Sequence, residues 1–99
     1  MKPAELIAVN TLSVHYNIEH SFVLTLKEAG LIEVVEQEQE FFVPADELRT
    51  LEKLANFYYE MGINIEGIET ISYLLGRIVD LHSELQRLKN ISDMPQFNK

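Results

Sequence analysis

The side chains capable of acid–base, nucleophilic or metal chemistry are few in kind and scattered in place. The 99-residue chain has no Cys, which excludes disulfides and thiolate metal sites and permits a reducing compartment. Its histidines, His15, His20 and His82, are spread along the sequence. His15 or His20 beside Glu19 supplies two donors, short of the three or four protein ligands of a zinc site. No Gly-rich phosphate loop, G-x-S-x-G or H-E-x-x-H occurs. The expectation is a non-enzyme with no catalytic residue, metal or cofactor. What remains is charge. The net charge is −8, and residues 1–66 carry all of it, with twelve acids against Lys2, Lys27, Arg49 and Lys53. Residues 67–99 balance at four acids and four bases. Glu33, Glu36, Glu38 and Glu40 make the densest acidic stretch. In one extended strand the last three project to one side, because side chains alternate with period two. Such a comb, with Glu19, is a candidate partner contact. It is equally a charged hairpin edge that blocks aggregation.

The elements that position these groups follow from spacing and punctuation. Leu6, Ile7 and Val9 suit a small strand, after which Asn10 or Thr11 could cap a helix carrying Leu12, Val14 and Tyr16. Residues 19–29 form a second helix with Phe22, Val23 and Leu26 on one face, and Gly30 suits a left-handed exit from it. Residues 31–43 have the β-branched and aromatic content of two strands, with the turn near Gln37–Gln39. Alternation sends one of Phe41 and Phe42 inward. Pro44 stops the second strand, and Asp46 is a plausible cap for a helix starting at 47 or 48 and ending at Gly62. Within it Tyr58 and Tyr59 are adjacent, so one is expected in the core and the other partly exposed. Asn64 caps the last helix, which runs to about Asn90. There Ile71, Leu74, Ile78, Leu81, Leu85 and Leu88 step alternately by three and four, an a/d heptad seam. Ile68 and Leu75 widen the stripe where it starts, so that end is expected to pack on the head. His82 falls at an e position. The expected divisions are a head at 1–66, a dimerisation helix at 67–90 and a flexible tail at 91–99. Few other elements are left to cover the seam, which favours a homodimer.

The order of helix, helix, hairpin, helix and long helix resembles the MerR-type winged helix-turn-helix. Lys27 to Ile32 (KEAGLI) resembles the end of that family's recognition helix and its glycine exit into the wing. Phe41 to Ile68 (FFVPADELRTLEKLANFYYEMGINIEGI) resembles the passage from the wing into its third and fourth helices. The Leu-rich segment beyond is similar to its dimerisation helix. The fold class is therefore mainly α with a small β-hairpin: a winged helix-turn-helix head followed by a long C-terminal dimerisation helix. The resemblance implies an antiparallel two-fold pairing. The recognition helix would be Glu19 to Glu28, with Leu24 where an Arg is usual.

That departure, together with the wing glutamates, opposes a phosphate backbone, which selects for positive charge. The chain looks like the CbpM-type chaperone modulators, small acidic MerR-like proteins that end in the dimerisation helix. Asn64-Ile65-Glu66-Gly67-Ile68 resembles the corresponding stretch there, although some relatives have an aromatic residue and Pro at Ile65 and Glu66. The resemblance implies a partner, the J-domain of a CbpA/DnaJ-like co-chaperone, which the modulator inhibits. J-domains present a basic helix, to which an acidic head would be steered. The rival expectation is a MerR-type transcription regulator lacking an effector domain. A third is a subunit of another complex using the same acidic surface. The N-terminus lacks a signal-peptide pattern, and no apolar run approaches the roughly 20 residues that span a bilayer. A cytoplasmic protein is expected.

Overall fold

The computed structural model describes residues 5–93. Contacts divide the chain into two compact units, residues 1–69 and 70–99. In the first, the order is β1 (Leu6–Ala8), α1 (Val9–Tyr16), α2 (His20–Glu28), β2 (Val35–Gln37), β3 (Glu40–Pro44) and α3 (Leu48–Ala55). A 3-10 turn (Ala45–Glu47) precedes α3, and a π-helical turn (Asn56–Glu60) follows it. The last helix, α4, spans Ile65–Asp93 and runs from the first unit into the second. The fold is the expected mainly helical winged helix-turn-helix head with a long C-terminal helix.

The hairpin is part of a three-stranded antiparallel sheet in the order β1-β3-β2. Ile7 pairs with Val43, and Ala8 and Val35 both pair with Phe42. Paired residues share a face, so Ile7, Phe41 and Val43 form one face, and these three belong to the core or pack on it. Phe42 lies on the other face with Ala8 and Val35. The expected alternation of Phe41 and Phe42 holds. The core is Val9, Leu12, Ile18, Phe22, Val23, Leu26, Ile32, Val43, Leu51, Leu54 and Ile68. Ile68 is fully buried, so the first turn of α4 is anchored in the first unit.

Two helix termini follow from the sequence. At the end of α2, Gly30 (φ 76) donates to the Lys27 carbonyl, and Leu31 donates to the Leu26 carbonyl. This reciprocal pair is a Schellman motif, whose left-handed residue favours glycine. At the start of α4, Asn64 Oδ1 accepts from the Gly67 N–H at 2.8 Å. A Cβ at Gly67 would lie 2.8 Å from Ile63 Cγ2 and 3.0 Å from Asn64 Oδ1, so a side chain there would require Ile63 to shift.

Other termini differ from expectation. Neither Asn10 nor Thr11 caps α1: the helix starts at Val9 directly from the strand, with Ala8 at the N-cap. Asp46 does not cap α3, because it lies inside the 3-10 turn and no side chain caps that helix. The last helix passes Asn90 and runs to Asp93, so 91–93 are helical, and the rest of the expected tail lies outside the described residues.

The hairpin turns on Glu38 (φ 51) and Gln39 (φ 65), with Gln37 paired to Glu40. Two positive-φ residues suit the right-handed twist of the strands, but this turn has neither Asn nor Gly. An L-residue in this region costs about 1–2 kcal/mol. Gln39→Gly is expected to stabilise the fold by about 0.5–1 kcal/mol after glycine's greater unfolded-state freedom is subtracted. Urea unfolding checks this, and a loss of stability would show that the Gln39 side chain makes a compensating contact.

Candidate functional site

The exposed surface of α2 and the wing carries the candidate contact residues, and it is built from short-range constraints. Phe22, Val23 and Leu26 turn one face of α2 into the core. This leaves His20, Ser21, Thr25, Lys27 and Glu28 exposed and Leu24 half-buried. Thr25 Oγ1 donates back to the Ser21 carbonyl at 2.8 Å, which occupies that hydroxyl within the helix. Lys27 is the single Lys or Arg of the helix, and its ammonium stands 5.8 Å from the Phe41 ring centroid. His20 meets the same ring edge-on at 6.1 Å. Both polar heads thus lean on a wing aromatic, within cation–π range for the lysine.

The four candidate carboxylates are exposed but do not form one row. Glu36 lies in β2 opposite Phe41, on the core-side face. Glu38 occupies the turn, and Glu40 pairs with Gln37 on the opposite face. Glu36, Glu38 and Glu40 therefore do not form the expected single-strand comb. A two-residue turn places 37 and 40 side by side, so 36 and 40 point to opposite faces. The hairpin tip carries these charges on both sides. Glu19 is separate from the tip, at the N-cap of α2. Its backbone N–H donates to the Tyr59 hydroxyl at 3.0 Å, and its carbonyl accepts from Phe22 and Val23. From Glu19 to Glu40 there are six carboxylates and one ammonium.

Tyr59 belongs to a cluster that helical periodicity does not reveal. The Phe22 ring lies 4.8 Å from Tyr58 and 5.2 Å from Tyr59, and the two tyrosines stack edge-to-face at 5.0 Å. Tyr58 and Tyr59 are comparably exposed, at 37% and 40%. The expected split into one core and one surface tyrosine does not occur. The π turn, closed by the Met61 N–H on the Asn56 carbonyl, brings adjacent residues toward one side, and Phe57 packs on the core instead.

Beside this cluster is a pocket of about 310 Å³ between the C-terminal end of α1 and the face of α3 and the π turn. Its walls include Tyr16, Asn17, Glu52, Asn56, Tyr59 and Glu60. Glu52 acts on the Tyr16 phenol from the facing wall, chiefly as a hydrogen-bond partner. This bond, then burial, then the carboxylate's charge raise the phenol above its ordinary value of 10.0. The protonated phenol is thus the form the fold favours. The contact contributes below the ordinary phenol pKa and is lost as pH rises through the higher folded value. Glu52→Gln is expected to bring Tyr16 back toward the ordinary range, as read by ultraviolet titration of the four tyrosines. An unchanged Tyr16 would mean that burial sets the shift.

The histidines stay apart from any ligand set. His15 packs edge-on against Tyr16 at 4.8 Å, and His20 rests on Phe41. Among the described residues no three His, Cys, Asp or Glu side chains come together to hold a metal. Among the same residues no helix is long and apolar enough to cross a membrane. On α4, Leu74, Ile78, Leu81, Leu85 and Leu88 are each 48–65% exposed, and Ile71 is half-buried.

A helix-turn-helix followed by a sheet-built wing and a long helix defines a small winged helix-turn-helix regulator. Residues 7–90 match the family described as MerR HTH family regulatory protein, and the chain belongs to that family. No curated protein and no solved structure matches it.

Proposed function

We propose that this MerR-like regulator acts on a protein rather than on DNA. The partner is the J-domain of a CbpA/DnaJ-like co-chaperone, held through the acidic head and thereby inhibited, as in the CbpM-type modulators. The observation that carries this reading is the charge of the helix and wing segment from Glu19 to Glu40, six carboxylates against Lys27, which itself leans on Phe41. DNA binding draws its affinity from cations that neutralise phosphates, and this surface offers almost none. A basic J-domain helix is the complementary partner. Charge of this density accelerates encounter and suppresses binding to polyanions. The working form is a homodimer closed along Ile71, Leu74, Ile78, Leu81, Leu85 and Leu88. Five of them, Leu74, Ile78, Leu81, Leu85 and Leu88, are about half exposed or more in the single chain.

The test is calorimetric titration with the J-domain co-chaperone of the same organism at two salt concentrations. Saturable binding near one J-domain per subunit, weakened by salt, is the expected result. Glu36→Gln, Glu38→Gln and Glu40→Gln together are expected to weaken it by roughly tenfold at low salt, chiefly through slower association. Absence of binding at low salt would sink the proposal. The family match supports a rival reading, a DNA-binding regulator, and a discrete gel-shift band at low salt would favour it instead.

A further inference from the structure

We propose that the pocket between α1 and α3 receives the guanidinium of a partner arginine and so anchors the complex that the acidic wing attracts. This rests on the proposed function for the identity of the partner, but the site is argued from its own walls. The pocket has carboxylates at two heights, Glu52 and Glu60, on one helical face, with Asn56 between them. Tyr16 and Tyr59 supply aromatic walls, and no basic side chain lines the pocket. A planar cation is matched by this set. It can stack on a phenol ring, donate to a carboxylate and donate again to an amide oxygen. Anionic and purely apolar ligands are matched less well, because the first meet two like charges and the second leave both carboxylates to be desolvated.

The place is also pre-organised. Tyr59 is held by the Phe22 ring and by the Glu19 N–H on its hydroxyl. Asn17 lines the pocket and ends α1 in the left-handed conformation (φ 57). The negative end of that helix therefore adjoins the pocket, a further term favouring a cation. The Tyr59 wall is thus fixed before binding, and a fixed wall is what separates an anchor from a diffuse acidic surface.

Kinetics distinguish an anchor from a steering charge. Full-length protein and the full-length J-domain co-chaperone are compared by surface-based kinetics, with Glu52→Gln/Glu60→Gln set against the triple wing variant. Because both glutamates are exposed, the fold is expected to persist, and thermal unfolding checks it. The pocket variant is expected to dissociate at least tenfold faster, with association within about threefold, whereas the wing variant shows the reverse split. An unchanged dissociation rate in the pocket variant would overturn the anchor while leaving the proposed function standing. If the wild type binds no co-chaperone, the proposed function fails and a second probe decides the pocket. N-acetyl-arginine amide is then titrated while the Tyr16 and Tyr59 ring signals are followed by NMR. Saturable shifts abolished in the pocket variant support the cation site, and unmoved signals overturn it.

Discussion

Leu81→Glu with Leu85→Glu is expected to leave the chain monomeric. The two residues are adjacent steps of the a/d seam and are 53% and 65% exposed in the single chain. Fully burying a leucine or isoleucine is worth about 1.5–3 kcal/mol, so covering the open halves of the seam on two copies yields roughly 10 kcal/mol. Association itself costs a comparable amount, an estimated 4–15 kcal/mol. A dimer closed along this seam would be set by a modest surplus, and losing two leucines per copy while adding four carboxylates would remove it. An increase of at least a hundredfold in the dimer dissociation constant is expected, read by sedimentation equilibrium, with helicity followed by circular dichroism. A wild type that stays monomeric at high micromolar concentration would sink the pairing. A double variant that stays dimeric would place the interface elsewhere.

Where the sequence was legible, one residue type had one local job. Gly30 occupies the left-handed exit of α2 because only glycine is unstrained there, and Asn64 caps α4 because its side-chain oxygen reaches the third helical N–H. The family-like order of elements also carried through to the three-stranded sheet and the long helix. The glutamate comb and the tyrosine pair differ for another reason: both rest on a regular period where the backbone breaks it. Glu36, Glu38 and Glu40 alternate evenly in sequence, but the chain reverses at Glu38–Gln39 and sends the outer two to opposite faces. Tyr58 and Tyr59 diverge on an ideal helix, but the π turn widens the coil beneath them. Asp46 has the chemistry of a cap but sits within a 3-10 turn. The pocket was not visible at all, because Tyr16 to Ile18 and Leu51 to Glu60 are far apart in sequence and come together only in the folded chain.

The same tertiary logic makes Phe22 the most consequential single side chain of the head. It is 4% exposed, and its ring touches both Tyr58 and Tyr59. Phe22→Ala removes the common support of the π turn and leaves a void that two half-exposed tyrosines cannot fill without leaving their positions. Truncating a buried phenylalanine costs about 3–5 kcal/mol, a large part of the 5–15 kcal/mol that holds a typical domain together. For a domain of this size each kcal/mol lowers the melting temperature by roughly 4–8 °C, so a fall of at least about 12 °C is expected. Phe22→Leu keeps much of the apolar volume and is expected to recover more than half of the loss. The effect has a local signature as well. Tyr59 takes the N–H of Glu19 at the start of α2, so releasing its ring also frees the first turn of that helix. Faster amide exchange at Glu19 in Phe22→Ala, at temperatures where the protein remains folded, would separate this local coupling from global destabilisation. A loss below about 1 kcal/mol, or unchanged exchange at Glu19, would show that the tyrosines hold the π turn and the helix start without the phenylalanine beneath them.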